Sequence, residues 1–148
     1  MNMTNKRVAE LEGAQLDWAV AKAAGYDCAM NWAGTVDITQ KSAQSMGIPD
    51  SLWCGAYGHG SVNFRPSEWW AHGGPIIERE RISLWEYDDC YAEVVAGNVF
   101  AAVGGVHGWD DGTLVSNDCH TGPTRLIAAM RAFVASKLGD EVEVPECS

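Results

Sequence analysis

Gly122-Pro123-Thr124-Arg125-Leu126-Ile127-Ala128-Ala129-Met130-Arg131-Ala132-Phe133-Val134-Ala135-Ser136-Lys137-Leu138-Gly139 is the stretch that decides the fold class. Leu126, Ile127, Met130, Phe133, Val134 and Leu138 recur at helical spacing as one broad apolar stripe, and the alanines between them favour helix. Thr124 reads as the N-cap, Gly122-Pro123 as the incoming turn and Gly139 as the stop. A helix with such a stripe needs a sheet or another helix to cover it. A second helix is legible upstream over Gly13–Ala24, where Leu16, Ala19, Val20 and Ala23 fall at i, i+3, i+4 and i+7. Gly25 supplies its left-handed C-terminal cap.

Between these helices the pattern changes to strand. Ile82, Leu84 and Trp85 with polar neighbours predict one strand, and Tyr91–Ala96 with Val99–Val103 predict a hairpin about Gly97-Asn98. Further short strands are expected near Tyr26–Asn31 and Thr113–Ser116, and the alternating tail from Asp140 to Pro145 reads as an edge strand. The expected fold is α+β: an antiparallel sheet of about three to five strands packed by N- and C-terminal helices, in one domain spanning residues 1–148. Trp32–Gly74, rich in Gly, Ser, Asn and Trp, is expected as a long loop-rich insertion. Within it, short helices are predicted at Thr39–Met46 and at Ser67–Trp70, with Ser67 as cap.

Three blocks of sequence carry a family likeness. The first is Leu16-Asp17-Trp18-Ala19-Val20-Ala21-Lys22; the second is Trp70-Ala71-His72-Gly73-Gly74-Pro75-Ile76-Ile77-Glu78-Arg79-Glu80. The third is Gly122-Pro123-Thr124 with the helix behind it, through Leu138-Gly139-Asp140-Glu141-Val142. In these blocks, and in their order, the chain resembles the NinX-like small proteins of tailed phages and prophages. The resemblance implies a phage accessory protein acting in an infected bacterial cytoplasm, and it implies no particular chemistry. Members of that family usually carry Pro where this chain has Arg125. The substitution puts a cation beside a helix N-terminus, a poor electrostatic position unless an anion sits nearby.

Composition excludes several classes of function. With 47% hydrophobic and 20% charged residues, the 148-residue chain is long enough to bury a core and unlike a disordered one. Its net charge of −10 disfavours duplex nucleic acid and anionic membranes as partners. No apolar run reaches about 18 residues, and the first ten residues lead into no apolar h-region, so a cytoplasmic protein is expected. The five cysteines form no CxxC pair, and Cys119-His120 alone makes no ligand set, so neither metal nor cofactor is expected.

Catalytic motifs are missing as well. The chain lacks a nucleophile elbow, a P-loop and an H-E-x-x-H pair. Glu78-Arg79-Glu80 reads as a solvated charged face or an intramolecular salt bridge, and Asp88-Asp89 and Asp110-Asp111-Gly112 as turn chemistry. His59, His72, His107 and His120 lie in loops or beside glycine, with no partner that spacing identifies. An enzyme is therefore not the expectation.

Binding has more support. Seven tryptophans are many for this length. Trp18 and Trp85 suit core positions, whereas Trp32, Trp53, Trp69 and Trp70 fall in the glycine-rich segment, where flat rings can stack on a planar ligand. Arg65, Arg79 and Arg125 lie near such loops, and the helix start at Thr121, Thr124 and Arg125 offers amides and hydroxyls to a phosphate. Asn31 can read a base edge, and His72 adjoins the Trp69-Trp70 pair. The expected site thus joins Asn31, Trp32, Arg65, Trp69, Trp70, His72, Arg79, Thr121, Thr124 and Arg125 around one cavity. The expected function is non-catalytic sequestration of a small, planar, phosphate-bearing ligand, a nucleotide second messenger of host antiviral defence, by a homo-oligomer. Two other readings stand beside it: an acidic interaction module that inhibits a host protein, and a hydrolase of such a nucleotide.

Overall fold

The computed structural model describes residues 2–45, 61–85, 99–103 and 120–146. Both helices that frame the sequence are present with the expected bounds. Helix α1 spans Gly13–Ala24 and closes on Gly25, whose φ of 78° is the left-handed conformation that only glycine takes easily. It buries Leu16, Trp18, Ala19, Val20 and Ala21. The C-terminal helix spans Arg125–Leu138, and the Thr124 Oγ accepts the Ile127 amide at 3.1 Å as a capping hydroxyl should. Two further helices lie between, Gln40–Ser45 (α2) and Trp70–Arg79 (α3), so the C-terminal helix is α4.

Eight strands complete the described residues: β1 Met3–Arg7, β2 Cys28–Met30, β3 Val36–Thr39, β4 Ser61–Asn63, β5 Ser83–Trp85, β6 Val99–Ala102, β7 His120–Gly122 and β8 Glu141–Pro145. All pairings among them are antiparallel. They are divided among three sheets, β1-β8, β2-β3-β4 and β5-β6-β7, rather than joined in one. The helix pair α1–α4 explains the division. Helix α4 covers β5-β6-β7, while α1 covers β2, β3 and β8, so every sheet rests on the same helix pair. Phe133, Met130, Leu16, Val20, Ile38 and Val62 meet in the shared core.

The expectation for Trp32–Gly74 needs correction. Its described part carries β3, β4 and the first half of α3 instead of loop, while α2 is the short helix expected over Thr39–Met46. Ser67 does not cap α3: the cap position belongs to Trp69, which makes no side-chain capping bond. The acidic tail forms β8, with Val142 and Val144 buried and Glu141 and Glu143 exposed, and it pairs with a first strand that the sequence reading missed. The predicted strands Tyr91–Ala96 and Thr113–Ser116, with the Gly97-Asn98 turn, lie outside the described residues, as do Trp53 and Trp109.

Two buried polar side chains fasten the elements together. The Arg131 Nε donates to the Leu11 carbonyl at 2.8 Å, and one of its terminal nitrogens donates to the Thr121 carbonyl at 2.9 Å. The Gln15 amide donates to the Pro145 carbonyl and accepts from Lys6, holding β1 and β8 on α1. No described helix is long and apolar enough to cross a membrane.

Candidate functional site

The ten expected residues fall into separate groups, and the largest is built around the start of α3. Phe64 leaves β4 with its amide bonded to the Val36 carbonyl at 2.8 Å, and the chain then turns through Arg65-Pro66-Ser67-Glu68 into the helix. That turn is held from below by Asp17 of α1, whose carboxylate accepts the Ser67 amide at 2.9 Å. It is held from the side by His72, whose Nδ1 accepts the Arg65 amide at 2.9 Å. The Arg65 guanidinium carbon lies 5.3 Å from the centre of the Trp69 ring, a cation–π arrangement, and Arg65 also faces Glu68 at 3.7 Å.

Ring contacts continue inward from there. Trp69 meets His72 edge-on at 5.1 Å, His72 stacks on Phe64 at 5.6 Å, and Phe64 meets Tyr26 edge-on at 6.1 Å. The Tyr26 hydroxyl accepts from Arg79 at 3.3 Å, and this bond favours the charged guanidinium, with Glu80 adding to it. Arg65 and Arg79 therefore stand at the two ends of one aromatic ladder that runs beneath α3. The outer end is open. Trp70, 54% exposed, opens the helix, and among the described residues no side chain caps that start.

The start of α4 adjoins the start of α3. A Cβ built on Gly73 would lie 2.7 Å from the Leu126 Cδ2, so the first turns of the two helices are in direct contact. Thr124 and Arg125, both exposed, stand at that start of α4. The Thr124 oxygen is engaged as acceptor by its own cap, so its contribution to a ligand is the hydroxyl proton. Thr121 is exposed on β7, with its carbonyl held by Arg131.

Asn31 and Trp32 belong elsewhere. They form the β2–β3 turn, where the Asn31 Oδ1 accepts the Ala33 and Thr35 amides at 2.9 and 3.1 Å, and its Nδ2 donates to Thr35 and Asp37. Strand alternation puts Asp37 and its register partner Asn63 on the opposite face of the sheet from Val62 and Phe64. The sheet thus separates Asn31 from the aromatic ladder. One cavity shared by all ten residues is not what the chain builds.

His72 is no general base in this arrangement. It is completely buried, and desolvation lowers its pKa to about 4, so the ring is neutral. With Nδ1 accepting, the proton sits on Nε2, which has no hydrogen-bond partner among the described residues. Asp17 and Ser67 lie close by, yet the carboxylate bonds the serine amide and the histidine bonds the Arg65 amide. Those bonds are not the relay that would activate a serine nucleophile. Among the described residues no group of His, Cys, Asp and Glu is arranged to hold a metal ion. Sequence reasoning missed Asp17, Phe64 and Tyr26, the residues that position the turn and the ladder, since each reads from the sequence as ordinary helix or strand content.

A family model described as bacteriophage P22, NinX matches residues 7–137. A comparison with curated proteins found no match.

Proposed function

Since the chain belongs to the bacteriophage P22 NinX family, we propose that it is a phage accessory protein of the host cytoplasm that binds and sequesters a planar, phosphate-bearing ligand without catalysis. A nucleotide second messenger of host antiviral defence is the ligand class that suits a phage. The observation that carries this reading is the start of α3, where the exposed Trp70 directly follows the Arg65–Trp69 cation–π pair in the chain. A base stacks on Trp70, and its phosphate meets the Arg65 guanidinium and the first amides of an uncapped helix. Arg125, at the adjoining helix start, supplies the second cation that a molecule of net charge −10 needs to hold an anion.

Calorimetric titration of the full chain with cyclic dinucleotides and cyclic ADP-ribose isomers tests the reading. At least one compound is expected to bind tightly. Trp70→Ala should weaken it by about 1–3 kcal/mol, the worth of one stacked base, while leaving the melting temperature nearly unchanged. Silence across the panel would sink the proposal. Ligand released by heat denaturation should be chemically intact; conversion to product would favour the hydrolase instead. A protein-interaction module is the second reading, favoured by Trp32, which is 84% exposed.

A further inference from the structure

The outer face of β2-β3-β4 has a chemistry of its own. Val36, Ile38 and Val62 turn inward, so Ala29, Asp37 and Asn63, which stand in register across the three strands, turn outward. A groove of about 440 Å³ runs along this face, with Asp27, Ala29, Asn31, Trp32, Asp37 and Thr39 among its walls. Among the described residues its walls hold two carboxylates and no cation. Asp37 is fixed in place by neutral donors, the Asn31 amide at 3.1 Å and the Asn63 amide at 3.3 Å, and both amides are anchored in turn on Thr35. Its orientation is therefore set, and among the described residues no ion pair neutralises its charge.

β2 is also the outer strand of its sheet among the described residues. Its ladder bonds to β3 include Thr39 N–H to the Asp27 carbonyl at 3.2 Å and Asn31 N–H to the Thr35 carbonyl at 2.8 Å. In an antiparallel ladder bonded at residues 27, 29 and 31, the N–H and C=O groups of Cys28 and Met30 point away from the partner strand. Cys28 and Met30 are also among the residues that line the same groove. The groove thus presents a strand edge, two carboxylates and, at one end, the Trp32 ring.

We propose that this groove takes up an extended, basic segment of a partner protein as an added strand on β2, with a Lys or Arg side chain over Trp32 and others facing Asp27 and Asp37. Main-chain bonds to Cys28 and Met30 give the pairing, and the charges select the sequence. An indole beside carboxylates holds a cation and repels a phosphate, so this site is distinct from the surface at α3 and does not rest on the nucleotide reading.

The test uses the full chain and short fluorescent peptides read by anisotropy. A peptide of alternating Lys and Val should bind, more weakly as salt rises, and its Glu–Val counterpart should not. Methylating the peptide's backbone nitrogens on its pairing edge should abolish binding with no change to the protein. Trp32→Ala and Asp27→Asn should each weaken binding, Trp32→Ala by about tenfold, the equivalent of about 1.4 kcal/mol. The proposal is overturned by equal binding of the methylated peptide, by unchanged affinity in both variants, or by no binding of the Lys–Val peptide at millimolar concentration. The methylated arm needs no variant to fold.

Discussion

Asp17 and His72 hold the two sides of one turn, and burial perturbs them in opposite directions. The Asp17 carboxyl is pushed up from 3.8 to about 7, chiefly by desolvation, although the bond from the Ser67 amide pulls it back. Folded chain therefore keeps a proton that unfolded chain releases. That contribution is complete below 3.8 and is lost as pH climbs toward 7. His72 is lowered from 6.5 to about 4, so its contribution is complete above 6.5 and is lost as pH falls toward 4. Between about 4 and 6.5 the two slopes oppose each other, and the wild type hides both. Asp17→Asn keeps an oxygen acceptor for the Ser67 amide but cannot titrate. Its unfolding free energy relative to wild type should rise steadily from about pH 4 to pH 7, at about 1.4 kcal/mol for each tenfold in proton affinity. Urea unfolding across that range measures it. A difference independent of pH would mean that Asp17 titrates as an ordinary surface carboxylate.

Helix α3 is the element that local rules argue against, since Gly73-Gly74-Pro75 lies in its middle. Proline removes one helix bond, and glycine costs about 0.5–1 kcal/mol relative to alanine. The two glycines are not equivalent. A Cβ on Gly73 would stand 2.6 Å from the Pro66 carbonyl oxygen and 2.7 Å from Leu126, and the carbonyl cannot swing aside cheaply. Around Gly74 the nearest atom is Trp70 Cε3 at 3.9 Å, an ordinary contact. Gly73→Ala should therefore destabilise by about 1–3 kcal/mol, as overpacking does, and Gly74→Ala should stabilise by about 0.5–1 kcal/mol. Denaturant midpoints that move the same way in both variants would refute the packing account. The same residues show why α1 and α4 were legible in the sequence and α3 was not. Leu16-Ala19-Val20-Ala23 and Leu126-Met130-Phe133-Val134 declare their period and carry their own caps. Helix α3 is held by Gly73 against α4 and by His72 on Phe64, contacts that only the folded chain supplies. Strand β1 was invisible for a related reason: Met3–Arg7 has no buried residue, and its pairing with β8 is what makes it a strand. Among the site residues, Arg65, Trp69 and Trp70 were readable as local neighbours. That Asn31 lies across a sheet from them depends on the Asp37–Asn63 register, which composition and spacing do not encode.

At the scale of the whole molecule, three small sheets share one helix pair, so stability should be graded outward from that pair. None of the sheets has more than three described strands, and a sheet of that size draws its stability from what covers it. Native-state hydrogen exchange should then be slowest in the buried runs Leu16–Ala21 and Ala128–Val134, whose amides open only with the whole fold. Within β2-β3-β4 the amides should divide by direction. Ala29 and Asn31, facing β3, should exchange slowly, while Cys28 and Met30, facing the groove, should exchange fast and become protected when a Lys–Val peptide is added. If α1 and α4 exchange no more slowly than β1 and β8, the helix pair is not the organising core. If Cys28 and Met30 are already protected in the protein alone, the edge is covered by the chain itself. A partner strand would then have nothing to pair with, whatever the charge of the groove.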